Sequence, residues 1–308
     1  MIITNLEGLK PRFSGHETFP LRHAWIPKAL PLVKDNSSIL FNPEHLMLSM
    51  GVGKNMARAV RHWLESARLV ELRDKANHTV TEIADIIFHP EADPYIENAE
   101  TIWLIHYLIS TNIERNSLWI YLFNIYAKRN FSKSSLSESI YRWCEELSIN
   151  KPSETTLNRD LTTLLGTYST ATLKREKDLQ AVLSCPLKEL NIFTHRVEYN
   201  EHIWKFRQLT FGEISEDLFA FCLMDFLEKN DLPQSVLFSD LISAPLSPAR
   251  VFNFSENLLT KYLQKFGLRS DHPYTYNITA GSKQLFRSRK ESFKSITLLK
   301  SIYEKQND

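Results

Sequence analysis

The chain is poor in glycine. Only eight occur in 308 residues, which excludes an all-β fold built on many tight turns. Cysteine is scarce too: Cys144, Cys185 and Cys222 are three residues at wide spacings. An odd, dispersed set makes neither a disulfide framework nor a zinc site, and it predicts buried thiols in a reducing cytoplasm. No apolar run reaches the ~18 residues of a membrane span. The longest, Ile102 to Ile109, is interrupted by His106. The opening Met-Ile-Ile-Thr-Asn-Leu-Glu lacks the basic and then apolar regions of a signal peptide. We therefore expect a cytoplasmic protein without membrane contact.

Lysine and arginine are missing from residues 76–114, which hold seven acids. Residues 51–75 carry six bases against three acids, and 283–300 carry six against Glu291 alone. The net charge of +1 thus conceals basic surfaces that would attract phosphate. Ordinary solvated faces would give the same pattern. The composition, 43% hydrophobic and 24% charged, is that of a globular protein, and the length suggests two or three domains.

The periodicity is mostly helical, so the fold class is mainly α with small β elements. We expect an N-terminal winged helix-turn-helix, a central helical region and an α+β C-terminal region. The corresponding domains are 1–100, 101–185 and 186–308, the last ending in a basic terminal helix. Pro11, Pro20, Pro27 and Pro31 predict an irregular lead-in. Residues 43–75 then read as helix-turn-helix and wing. Asn42 is the N-cap and Pro43 the first helical residue. Met50-Gly51-Val52-Gly53 is the turn, Lys54 to Ala67 the second helix, and Leu69 to Leu72 a strand.

Glu97 to Ala127 predicts two buried helices joined near Thr111-Asn112. A serine-rich connection follows over Phe131 to Ser139, and helical spacing resumes over Leu136 to Leu147. Ser153 caps another helix, and this second helix-loop-helix echoes the first. Cys185-Pro186 is the expected boundary. Beyond it lie short strands around Ile203 to Phe211, helices over Asp217 to Glu228 and Ser255 to Phe266, and the basic terminal helix.

The Lys54–Ala67 helix carries the clearest chemistry. Met56, Val60, Trp63, Leu64 and Ala67 make one apolar stripe. Lys54, Arg58, Arg61 and Glu65, at i, i+4, i+7 and i+11, make a second, basic one that ends at the glutamate, with Asn55 and His62 beside it. A recognition helix needs such a division, because its leading residues reach base edges while its bases hold phosphates. The plain alternative is a solvated amphipathic helix. Arg287 in the basic C-terminal stretch is a further expected contact to nucleic acid.

Other patterns are rejected. Gly51-Val52-Gly53-Lys54 has one residue between its glycines where a phosphate loop has four, and Asn55 follows the lysine. His16-Glu17 begins like a zincin helix, but Pro20 stands where the second histidine belongs. His16, Glu17 and Arg22 still make a set for phosphoryl chemistry: a general base, a carboxylate for Mg²⁺, and a cation for developing charge. The structural alternative is a Ser14/Glu17 capping box with His16 in support. Glu91-Ala92-Asp93, between Pro90 and Pro94, is a second acidic pair that also reads as a solvated loop.

Six stretches carry a resemblance. They are Phe-Ser-Gly-His-Glu-Thr-Phe (13–19), Gly-Val-Gly-Lys-Asn-Met (51–56), Thr-Leu-Asn-Arg-Asp-Leu (156–161), Cys-Pro-Leu (185–187), Ser-Pro-Ala-Arg-Val-Phe (247–252) and Thr-Ala-Gly (279–281). In this order they resemble the SspB-like family of DNA-nicking proteins, which serve single-strand DNA phosphorothioation and were first catalogued as domain of unknown function 4007. The sequence departs at Ala249, where glycine is expected, and at Met50, where leucine is.

The resemblance implies a nicking endonuclease that opens one strand of double-stranded DNA for sulfur incorporation in a defence system. Implied partners are a cysteine desulfurase, an ATP-using sulfur-transfer enzyme and an ATPase, and a homodimer is a further expectation. The resemblance does not locate the nuclease centre; the residues nominated for it by their chemistry are His16, Glu17 and Arg22, with Glu17 holding Mg²⁺ or another divalent cation. Lys54, Asn55, Arg58, Arg61, His62 and Arg287 would bind the nucleic acid. The alternative is a non-catalytic winged-helix module that recruits the phosphorothioation enzymes or regulates transcription.

Overall fold

A computed structural model describes residues 11–169, 185–279, 281–289 and 292–304. The fold is mainly α with three small antiparallel sheets. None of the described helices is long and apolar enough to cross a membrane. All three cysteines are buried thiols. The described chain forms two compact units, one of residues 11–122 and 126–207, the other of 123–125 and 208–304.

In the first unit the lead-in ends sooner than its prolines suggest. Helix α1 spans Trp25–Asp35 and buries Trp25, Ile26, Ala29, Leu30 and Val33. Pro27 falls in the first turn, where no backbone N–H is needed, and Pro31 sits inside the helix. Helix α2, Pro43–Met50, starts as its residues dictate: the Asn42 side chain accepts from the His45 N–H, and Pro43 is the first helical residue. Gly51, at φ +66°, ends it in the left-handed conformation. Helix α3 runs Lys54–Ser66. Strands β1 (Val70–Leu72) and β2 (His78–Val80) follow as a hairpin with Val70 opposite Val80. The His78 N–H also donates to the Ser37 carbonyl at 2.8 Å.

A short helix α4, Glu82–Ile87, leads to α5, Ala99–Ser110, which is buried from Thr101 to its end. That matches the apolar stretch read there. Helix α6, Ser117–Ile120, follows. The serine-rich stretch is not a connection. After the two-residue strand β3, Asn130–Phe131, Ser132 and Ser135 form a reciprocal cap and helix α7 runs Lys133–Glu146. Helix α8, Glu154–Tyr168, is capped by Ser153 as expected. Strands β4 (Phe193–Glu198) and β5 (Glu201–Phe206) complete a sheet of order β3-β5-β4. Of these, β5 overlaps the strand region read around Ile203 to Phe211, over residues 203–206.

The second unit has helix α9 (Glu216–Glu228), strand β6 (Ser235–Leu237), and helices α10 (Phe238–Ser243), α11 (Pro248–Val251) and α12 (Glu256–Gly267). Strands β7 (Tyr274–Thr279) and β8 (Ser282–Arg287) make a hairpin, and the sheet order is β6-β8-β7. Helix α13, Ile296–Glu304, closes it. The basic run from Lys283 to Arg287 is therefore a strand, not part of a terminal helix. Its Leu285 is fully buried, and the strand pairs with β6 on one side and β7 on the other.

One order of elements recurs. Among the described residues of 130–206 it is strand, two long helices, a short helical turn over Pro186–Leu190 and a hairpin, with the last strand between the other two. In 235–287 the same order and strand arrangement return, with α11 inserted. In 37–80 it is two helices and a hairpin, and the single bond from His78 to Ser37 stands where the third strand would run.

Candidate nucleic-acid interface

Helix α3 divides its residues as the sequence indicates. Ala59, Val60, Trp63 and Leu64 are fully buried, while Lys54, Asn55 and Arg58 are exposed at its leading end. Among the described residues Glu44 is the charged partner of Lys54, at 4.0 Å. An exposed ion pair at that separation contributes little, so the three side chains offer donors to solvent.

Further along α3 the side chains have intramolecular partners. The Arg61 Nε donates to Glu65 at 3.0 Å, and its guanidinium lies 4.0 Å from the centre of the Phe41 ring. His62 packs inward, edge-on to His16 at 5.7 Å and to Trp63 at 5.3 Å. Burial, and then the neighbouring His16, push the His62 pKa down to about 3. Glu65, read from sequence only as the end of the basic stripe, is a buried hub. It pairs with Arg61, with His78 at 2.8 Å and with Arg115 at 2.9 Å. Burial opposes its charge, but the His78 hydrogen bond and the two guanidinium groups prevail and hold its pKa at about 2.

The Phe13–Phe19 stretch is a knot, not a helix start. Ser14, Gly15, Glu17 and Thr18 all have positive φ, so the Ser14/Glu17 capping box does not form. Asp160, from the Thr-Leu-Asn-Arg-Asp-Leu stretch on α8, holds it. One Asp160 oxygen accepts the Ser14 N–H at 2.6 Å and the other lies 3.3 Å from His16 Nε2. His16 Nδ1 accepts the Thr18 N–H at 3.1 Å. That bond assigns the ring proton to Nε2, facing Asp160. Both nitrogens of buried His16 are thus engaged, and neither is left to take a proton from a nucleophile. Helix α3 supports the knot: Trp63 Nε1 donates to the Phe19 carbonyl at 3.0 Å. Gly15 sits at φ +102°, and a Cβ there would lie 2.7 Å from His62 Nδ1.

The other nominated residues fall apart from this pair. Glu17 is half-buried at φ +49°. Arg22 lies over Phe19 and Trp25, 5.9 and 5.4 Å from their ring centres. Arg287 belongs to the second unit, where its N–H and Nη1 bond the carbonyls of Gln234 and Leu232. Asp93 is buried and caps the Glu97 and Asn98 N–H groups at 2.7 and 3.0 Å, so the Glu91/Asp93 pair does not gather for a cation. Among the described residues no three His, Cys, Asp or Glu side chains are grouped to hold a metal ion. With Asp160 doubly engaged, the residues around Glu17 do not fit a protein-built metal cage.

The profile of the DUF4007 family, proteins of unknown function, matches residues 13–303. The chain belongs to the DUF4007 family. Among solved structures it is similar to a magnesium ion-bound SspB crystal structure, with a TM-score of 0.84 and 22% identity over 97% of this chain and 90% of that one. A second SspB crystal structure gives 0.82 and 22% over 96% and 88%. This DUF4007 chain thus has the SspB fold. No curated protein matches it by sequence.

Proposed function

We propose that this DUF4007 protein binds double-stranded DNA through residues 43–75, a winged helix-turn-helix, within a phosphorothioation system of the SspB kind. The observation that supports it most is the division of α3. Lys54, Asn55 and Arg58 stand exposed at the leading end, where a recognition helix meets the major groove. The other side is fully buried. Arg61 and His62 act differently from the leading three: they brace the helix against Glu65 and the knot, and so set its presentation. Lys54→Ala with Arg58→Ala should weaken duplex binding about equally for all sequences and flatten its salt dependence.

Strand nicking is the second reading. The SspB fold and a magnesium-bound relative favour it. In that reading His16 and Asp160 are positioning residues, because both are buried and bonded to each other. Glu17 and Arg22 are the members of the nominated set that reach solvent. The assay is relaxation of supercoiled plasmid with Mg²⁺, repeated with EDTA. Parent protein that relaxes plasmid only with Mg²⁺, and Glu17→Ala that does not, would support it. Parent that binds plasmid without relaxing it leaves the recruiting module as the function.

A further inference from the structure

We infer that the second unit carries another double-stranded DNA-binding surface, formed by helix α12 and the β7–β8 hairpin. The inference is independent of residues 43–75. It starts from the recurring order of elements. Strand, helix, helix and hairpin with the last strand central (β6-β8-β7) is the arrangement in which a winged helix presents its second long helix and its hairpin on one surface.

Helix α12 has the division this requires. Leu258, Leu259, Tyr262, Leu263 and Phe266 are buried. Asn257, Lys261 and Gln264, at i, i+4 and i+7, are exposed. Asn and Gln are the side chains that pair bidentately with adenine, and Lys reaches guanine or phosphate. A face chosen only for solubility has no need of two carboxamides in register with a lysine.

The hairpin supplies the second observation. Lys283 on β8 donates from Nζ to Thr260 Oγ1 of α12 at 3.2 Å and lies 4.9 Å from the Phe238 ring centre. The wing strand thus holds a cation against the helix face. Beyond it the hairpin leaves Ile278 57% exposed. An isoleucine there suits apolar contact in a groove. The exposed α12 positions carry one acid, Glu256 in the first turn, where it complements the helix dipole. With Lys261 and Lys283 present, the surface matches a polyanion.

The test uses the full chain and fluorescent duplexes, read by anisotropy and by nuclease footprinting. Lys261→Ala with Gln264→Ala should weaken binding to a long duplex at least about tenfold. It should also shorten the protected segment and leave the melting temperature unchanged. Lys261→Glu should weaken binding further. Lys54→Ala with Arg58→Ala should leave a residual footprint that the α12 substitutions abolish. Parent-like affinity and footprint in both α12 variants would overturn the inference while leaving the α3 reading intact. If only the α12 variants lose binding, the α3 reading fails and this one stands.

Discussion

Two segments of the first unit, the Phe13–Phe19 knot and the leading end of α3, are made of similar residues and meet opposite fates. The knot has a histidine and a glutamate in a short polar run. Its histidine is buried, and both ring nitrogens are engaged. The leading end of α3 has Lys54, Asn55 and Arg58, ordinary surface residue types, and these stay exposed, with Glu44 4.0 Å from Lys54. Side-chain chemistry that reads as catalytic can thus be consumed by folding, while a plain amphipathic helix keeps its donors for a ligand. The lesson is that availability, not residue type, ranks candidate sites.

The comparison breaks most readily at Asp160. Asp160→Ala would strip buried partners from the Ser14 N–H and His16 Nε2, and hydrogen bonds to a carboxylate are worth on the order of 3 kcal/mol. Thermal unfolding should show that loss, with proteolysis exposing the N-terminal stretch first. Unchanged melting would mean the knot is not held by Asp160. The Glu65 hub should come next. Its carboxyl is depressed from 4.5 to about 2, so its contribution is full above pH 4.5 and declines as pH falls towards about 2. Glu65→Gln should destabilise at neutral pH and remove that acid limb from urea midpoints.

Gly15→Ala is expected to cost about 1–3 kcal/mol, since φ +102° is strained for any other residue and the new methyl would press on His62. A melting point equal to the parent's would place the motif in a looser conformation. His62 titrates in another window. Its pKa falls from 6.5 to about 3, so the unfolded chain binds its proton more readily between those values. Stability should begin to fall as pH drops below 6.5, before Glu65 contributes. His62→Phe should remove this fall between pH 6.5 and about 3, leaving below 4.5 only the part that Glu65 contributes.

Much of the fold was legible where local chemistry decides it. The Asn42-Pro43 start, the Ser153 cap, and the Lys54, Asp217 and Ser255 helices stand within a residue or two of their reading. Misreadings came where another segment decides. Ser132 to Ser135 looked like a connection because serine is a poor helix former, yet serine capping a serine starts α7. Lys283 to Arg287 reads as part of a basic helix because its residues show no strand alternation: two polar residues precede the adjacent Leu285 and Phe286. Pairing on both sides with β6 and β7 makes it a strand. The signal for Asp160 was present in its own stretch: an acid at i+3 from Leu157 and next to Leu161, on the buried side of a helix. Its partners lie 144 and 146 positions away, and no local pattern reports that. Arg61 and His62 read as binding residues from helical spacing alone, but the Phe41 ring and the knot claim them.

The central claim is that DNA meets the exposed leading end of α3 and not the knot. Salt dependence of duplex affinity tests it most directly, for the parent, for Lys54→Ala with Arg58→Ala, and for His16→Asn as the knot control. Removing the two cations should lower the slope of log affinity against log salt by about two. The His16 variant, where folded, should keep the parent slope. An unchanged slope in the double variant would contradict it.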